Sequence, residues 1–169
     1  MVLFVAAQGT TLQKLSLDDM ILKSTAIVHG TVQPTFTAFR GSIIYSHYIL
    51  KSTEVWKGSI YGPIDVAVPG GTANGVHETY AGAPALAAGS DYVLFLWTSK
   101  SGLTQVIGLS QGLFTVTTNT AGAQTVSRTA TPELMLDGSG QPVADTDFDM
   151  PLDQLRARVQ STLAAQAGS

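Results

Sequence analysis

The sequence predicts one mainly antiparallel β domain, curled into a barrel, with a short N-terminal helix and a C-terminal helix. Segments rich in Ile, Val, Tyr and Thr follow one another from residue 25 to residue 128, without the intervening helices of an α/β fold. At 169 residues the chain is long enough for one self-supporting core. It contains no cysteine, so packing rather than disulfide bonds has to hold that core together.

The first residues resemble the end of a signal peptide. The apolar run Met1–Ala7 closes on Val5-Ala-Ala7, where small residues suit cleavage by a signal peptidase. The run is short and lacks a basic segment, and an apolar first strand is the alternative. We therefore expect a signal-peptide remnant at residues 1–7, a single barrel domain with its C-terminal helix at residues 8–169, and a secreted or periplasmic protein.

Helices are indicated near both ends of the domain. Ser16-Leu-Asp-Asp19 predicts a capping box that opens a short helix ending near Lys23. Pro151 is expected to start the second helix. The apolar stripe of that helix consists of Leu152, Leu155, Val159 and Leu163. The stretch Thr129–Met150 before it is expected to be a surface loop.

The fold prediction depends mainly on two single strands and one pair of strands. Ser42–Trp56 is extended but apolar on neither face alone, which indicates a long strand that bends or bulges. Tyr92–Trp97 is apolar on both faces and is expected to be the central strand. Leu113–Thr118 and Ala123–Arg128 are expected to pair around a turn at Asn119–Gly122.

The charge pattern argues against two kinds of partner. Nine basic and twelve acidic residues leave a net charge of −3, and no cluster of Lys or Arg occurs anywhere. The sequence therefore lacks the clustered basic residues that bind the phosphates of a nucleic acid, and it also lacks a polybasic segment that would bind a membrane. No stretch after the first residues is apolar over enough length to span a bilayer.

The best candidate for a binding surface is the long segment Gly70–Ser90. Irregular segments of this length inside a compact domain are typical of functional loops. It carries Asn74, His77, Glu78 and Tyr80 among glycines that permit close backbone approach. The alternative is that the segment only packs one end of the barrel, with Tyr80 as a plug.

A second motif raises the question of catalysis. Gly108-Leu-Ser-Gln-Gly112 matches the G-x-S-x-G nucleophile elbow, in which Ser110 would act with His77 or His47 and an aspartate. That elbow requires a helix after the serine, whereas Leu113–Thr117 consists of β formers. A turn or bulge between strands accounts for the same glycines, so we expect no enzyme, with a serine hydrolase as the rival hypothesis.

Three alternating aspartates raise the question of a calcium site. Asp145, Asp147 and Asp149 alternate in a way that could supply oxygen ligands to calcium, although the EF-hand pattern fails. The alternative is that Asp147 or Asp149 caps the final helix while the others are solvated. The three histidines lack the spacing of zinc ligands. No cofactor is expected.

Three segments resemble the netrin-like family, whose members include the tissue inhibitors of metalloproteinases. They are Ser24–Val32, with its V-x-G-x-V strand, Thr53–Gly58, and Ala88–Phe95. The resemblance implies an OB-type barrel. It does not extend to the cysteine wedge with which those inhibitors bind zinc, because this chain has no cysteine and cleavage after Ala7 would expose Gln8.

The chain also resembles uncharacterised exported bacterial proteins. The matching segments are Pro69-Gly-Gly71, Gly82-Ala-Pro84 and Gly108–Phe114, and they imply no particular activity. Taken together, the residues and both resemblances predict an exported, non-enzymatic binding module for a protein or glycan ligand. A protease inhibitor of the netrin-like type without the cysteine wedge is an alternative, as is a hydrolase using Ser110.

Overall fold

The computed structural model describes residues 11–168. The expected signal-peptide remnant at residues 1–7 lies outside the described residues. Within 11–168 the chain is mainly β, with two helices and antiparallel pairing throughout its main sheet, as predicted. No helix of the described part is long and apolar enough to cross a membrane.

Two helices flank most of the strands along the chain. The helices are α1 (Leu17–Lys23) and α2 (Leu152–Ala167). The strands are β1 (Leu12–Gln13), β2 (Ala26–Val32), β3 (Phe36–Arg40), β4 (Ile43–Lys57), β5 (Ile64–Pro69), β6 (Gly71–Ala73), β7 (Val76–Glu78), β8 (Asp91–Thr98), β9 (Thr104–Val106), β10 (Leu113–Thr118), β11 (Gln124–Arg128), β12 (Met135–Leu136), β13 (Pro142–Val143) and β14 (Phe148–Pro151).

Nine strands form the main sheet. Its order is β14-β11-β10-β8-β2-β4-β3, with β5 also paired to β4 and β9 also paired to β8. Strands β6 and β7 form a separate hairpin, and β1, β12 and β13 form a small third sheet. Residues of β5 and β9 lie within 8 Å of one another, but no ladder joins them in the described part of the chain. In the described part, hydrogen bonds therefore do not close the sheet into a barrel.

Strand β8 lies in the middle of the sheet and is buried on both faces, as predicted for Tyr92–Trp97. Val93 and Phe95 face a core that includes both helices, which we call the helix core. Tyr92, Leu94 and Leu96 face a second core between the strands, which we call the inner core. Trp97 departs from the prediction, since it is 45% exposed.

The long strand β4 has the irregular register that its mixed pattern predicted. Its ladder with β2 shifts between Ile27 and Val28 and again between His29 and Gly30. At the second shift the two backbones almost touch, because a Cβ atom on Gly30 would lie 2.3 Å from the carbonyl oxygen of Lys51. Irregularities of this kind bend a strand and increase its local twist.

Helix α1 has the predicted capping box and ends at Lys23. Ser16 Oγ accepts a hydrogen bond from the Asp19 amide at 3.0 Å, and Asp19 Oδ2 accepts one from the Ser16 amide at 3.1 Å. At the other end, Lys57 Nζ donates to the carbonyl oxygens of Ile21 at 2.7 Å and Leu22 at 2.8 Å. Burial lowers the pKa of Lys57, but the two carbonyls give its ammonium group partners.

The cap predicted for α2 is wrong. Pro151 occupies the N-cap position, and no side chain caps the helix there. Asp149 lies inside β14, where it pairs with Ser127 of β11, and Asp147 Oδ1 accepts a hydrogen bond from the Ala130 amide at 2.7 Å. Asp147 is therefore bound to the loop after β11, and Asp149 is an exposed residue of β14.

Two segments expected to be irregular contain short strands. Gly70–Ser90 holds the β6–β7 hairpin, and Thr129–Met150 holds β12, β13 and most of β14. The prediction of irregular structure was wrong at these strands, because strands of two to four residues are too short to show an alternating pattern. Their pairing depends on neighbours elsewhere in the fold.

Candidate functional site

Asn74 forms the turn of the β6–β7 hairpin. Its φ is +50°, and that of Gly75 is +78°. Two successive left-handed residues make a type I′ turn, for which Asn-Gly is the preferred pair. The dipeptide is visible in the sequence and could have indicated the hairpin. Asn74 thus has a conformational role, which leaves its side chain available at the hairpin tip.

The other predicted loop residues divide between the two faces of the hairpin. Glu78 Oε2 accepts a hydrogen bond from the Ile44 amide at 2.9 Å, which ties the hairpin to the start of β4. His77 Nδ1 lies 2.9 Å from the hydroxyl of Thr72 on the exposed side. Tyr80 is close to Glu78; loss of hydration, the Glu78 carboxylate and Tyr45 raise the pKa of its hydroxyl. The predicted set therefore does not converge on one point.

A second group of side chains lies on the outer face of the sheet. The register pairs β4 with β5 so that Val66, Val68 and Leu50 face the inner core. Alternate residues must therefore point outward, and these include His47 of β4 and Asp65 of β5. Because Phe36 of β3 is directly opposite His47, all three share this outer face.

These three residues form what we call the aromatic platform. The rings of Phe36 and His47 are stacked, with centroids 4.7 Å apart and an angle of 2° between their planes. Asp65 Oδ1 lies 2.9 Å from His47 Nδ1 and fixes the imidazole orientation. Phe36 is 51% exposed, so one face of a supported ring is open to solvent. The sequence pattern did not single out Phe36, because its partner is set by strand register.

A cavity of about 230 Å³ lies beside the platform, between β5 and β9. We call it the seam cavity. Its lining includes Val68 and Pro69 from β5, Trp97 from β8, and Ile107 and Leu109 from the segment after β9. Ala67 also lines it and is the cross-strand partner of His47. The cavity therefore lies one strand away from the platform, across β5.

The Gly108–Gly112 motif has a structural role that involves Gln111. This side chain is buried; it accepts a hydrogen bond from the Leu15 amide at 2.8 Å and donates one to the Gln13 carbonyl at 2.9 Å. The motif is followed by strand β10 and not by the helix of a nucleophile elbow. No histidine in residues 11–168 hydrogen-bonds to Ser110. The chemistry of the rival hydrolase hypothesis has no geometry to support it in this motif.

The acidic triplet proposed for calcium does not converge either. Asp145 pairs with Arg128, whose Nη2 lies 3.0 Å from Asp145 Oδ1. Burial acts to raise the pKa of Asp145, but bonds from Arg128 and from the Thr131 and Thr146 amides outweigh it, so the pKa is lowered. Over the described range, no group of three His, Asp or Glu side chains is arranged to hold a metal ion.

The sequence pattern also missed a polar cluster under α2. His29 is buried between two carboxylates, with Asp91 Oδ2 2.8 Å from Nε2 and Glu54 Oε1 3.3 Å from Nδ1. Arg156 of α2 donates to both oxygens of Glu54, at 2.8 and 2.7 Å, and lies over the ring of Trp56. The cluster connects three strands to the helix and is covered by it, so we assign it to fold stability.

No family model, curated protein or solved structure matches this chain. Its function therefore has to be argued from the residues and geometry described above.

Proposed function

We propose that this chain is an exported, non-enzymatic binding module built on an open OB-type barrel. Support for the barrel comes from the strand connections. The β2–β3 segment, β4 and β5 form a meander, β8 returns to pair with β2, and β9 lies beside β5. A five-stranded, partly open Greek-key barrel of the OB type has this order. The netrin-like resemblance at residues 24–32, 53–58 and 88–95 is consistent with it, since these segments fall in or next to β2, β4 and β8.

The proposed binding surface is the outer face of β3, β4 and β5. OB folds bind oligosaccharides and other polymers on the face of their second and third strands, together with two adjacent loops. In this chain the strands that correspond to the second and third strands of the OB fold are β4 and β5. The two corresponding loops are those that follow β3 and β8. Arg40 Nη2 donates to the Ser101 carbonyl at 2.9 Å, so these two loops are held together beside the face.

The observation that carries the proposal is the aromatic platform. The half-exposed Phe36 ring is stacked on His47, which Asp65 supports, and so offers a rigid apolar surface. Because this ring is already ordered, it loses little conformational entropy when a ligand binds. Aromatic residues of this kind dominate the energetics of many interfaces. The ligand we infer is a protein or a glycan, since Asp65 and the net charge of −3 disfavour a nucleic acid.

Capture from the native secretome tests this proposal. Immobilised wild-type protein should retain a specific partner, and Phe36→Ala should weaken that binding at least about tenfold, as expected for a hot-spot aromatic residue. The matched control is Tyr61→Ala, because Tyr61 is 95% exposed and is not part of the platform. Equal binding by wild type and Phe36→Ala would refute the platform as the binding surface.

A further inference from the structure

We propose that the seam cavity receives an aromatic side chain from a protein partner. This inference rests on the proposed binding function and narrows its ligand to a protein. The evidence consists of the size of the cavity, the chemistry of its lining, the exposure of Trp97, and its position next to the aromatic platform.

The size of the cavity matches one bicyclic aromatic group. An apolar cavity of about 150 Å³ accommodates benzene. The seam cavity has a volume of about 230 Å³, which is about one and a half times as large. An indole ring fills such a space better than a single phenyl ring does.

The lining is mainly apolar. It includes Val68, Pro84, Val106, Ile107 and Leu109, and Gln105 supplies its only side-chain amide. The lining side chains offer a glycan few hydrogen-bond partners, and a sugar hydroxyl that is buried without a partner is costly. The cavity therefore favours a side chain whose contacts are mainly apolar.

Trp97 provides the aromatic wall. It has the same orientation in β8 as the fully buried Phe95, yet it is 45% exposed and is not among the residues of the helix core. A large indole at the rim of an apolar cavity is typical of a surface that is covered on binding. A second aromatic ring in the cavity would bury this exposed face.

Backbone strain lies at the same place. Leu109 has a φ of +59°, which is rare for a bulky non-glycine residue, and its side chain lines the cavity. Strained residues of this kind concentrate at ligand sites, because the surrounding fold has to hold them there. The Gly108–Gly112 motif therefore has two roles: Gln111 anchors the segment before α1, and the strained Leu109 forms part of the cavity wall.

The cavity and the platform can serve one partner. Ala67 lines the cavity and is directly opposite His47 of the platform. Ala67 carries only a methyl group, so no large side chain separates the two surfaces. A protein segment lying across β5 would contact Phe36 at one end and place a side chain in the cavity at the other.

Titration of ¹⁵N-labelled protein with N-acetyl-tryptophanamide tests the inference. We expect weak, saturable shifts, with a dissociation constant of about 1 mM, at the amides of Val68, Ile107 and Leu109 and at the Trp97 indole. Gln105→Trp should fill the mouth of the cavity and weaken binding at least about tenfold. Gln124→Trp is the matched control, since this glutamine is in β11 and does not line the cavity.

The outcomes separate this inference from the proposed function. Absence of saturable shifts at the cavity, or equal binding by wild type and Gln105→Trp, would refute the aromatic side-chain site. So would saturation of the same amides by a soluble cello-oligosaccharide in place of the tryptophan derivative. None of these results would affect partner capture through Phe36, which is measured independently.

Discussion

At the scale of single residues, close backbone contacts determine the glycines of β2 and of the turn after β4. A Cβ atom on Gly30 would lie 2.3 Å from Lys51 O and 2.8 Å from Ser52 Cα. Gly58 has a φ of +88°, and a Cβ there would lie 2.8 Å from the Thr25 carbonyl oxygen. Backbone atoms cannot move aside as a flexible side chain can, so both positions require glycine.

Gly30→Ala should therefore destabilise the fold strongly. The added methyl group has to separate β2 from β4 at the register shift, and we expect a loss of about 2–3 kcal/mol in the free energy of unfolding. Urea denaturation followed by circular dichroism measures this loss. Gly138→Ala is the control, because a Cβ there meets nothing within 4 Å, and it should change stability by less than about 0.5 kcal/mol. Similar stabilities for the two variants would contradict the packing argument.

At the scale of elements, α2 is held to the sheet by apolar and charged contacts together. Leu155 and Val159 are fully buried in the helix core. Arg156 binds Glu54 of β4 through two hydrogen bonds, and Arg158 Nη2 binds Asp18 Oδ2 of α1 at 2.7 Å. The apolar stripe decides which face of the helix is buried, while the two arginines connect its borders to separate elements.

The pH dependence of stability should report the contact of α2 with Glu54. Burial acts to raise the pKa of Glu54, but hydrogen bonds from Arg156, Trp56 and His29 outweigh it, so the pKa lies below 4.5. With a folded-state pKa below the unfolded one, Glu54 stabilises the fold fully above about pH 5. That contribution is lost as the pH falls from 4.5 through the folded-state pKa.

Glu54→Gln should consequently be less stable than wild type at pH 7, and the difference should shrink as the pH falls toward about 3. We expect a difference of about 1 kcal/mol at pH 7, because the side chain is 38% exposed and partly screened by solvent. Urea denaturation at a series of pH values measures it. Glu133→Gln serves as control, since Glu133 forms none of the ion pairs in residues 11–168. A difference that is constant with pH would rule out the ionised pair as its origin.

At the scale of the whole molecule, stability should be greatest where the two cores meet. Ile27 and Phe95 face the helix core, whereas Val28 and Leu94 face the inner core, so β2 and β8 are covered on both faces. Strands β3 and β14 lie at the ends of the main sheet order. Such edges open at low free energy, while doubly covered strands open only with global unfolding.

Native-state hydrogen exchange followed by NMR checks this distribution. The amides of β2 and β8 should exchange slowest, at rates set by global unfolding. Those of β3 should exchange at least about a hundredfold faster, since local opening of an edge costs several kcal/mol less than global unfolding. Equal protection of β3 and β8 would mean that the sheet is covered at that edge.

Local sequence patterns were sufficient to predict many of the helices and strands. The capping box at Ser16–Asp19, the doubly apolar Tyr92–Trp97 and the mixed faces of Ser42–Trp56 each predicted the element that forms. The candidate site was harder to predict. Of its members, His47 was considered only as a catalytic base and Phe36 was not considered, because a stack between them exists only in one strand register.

The sequence by itself determined the fold class, the two helices and the central strand, because periodicity and caps are properties of residues close together in the chain. Only the tertiary structure decided that Phe36 stacks on His47, that β5 and β9 leave a cavity at Trp97, and that His29 lies between Glu54 and Asp91. These contacts depend on which strands become neighbours and in which register. That choice follows from packing of the whole chain.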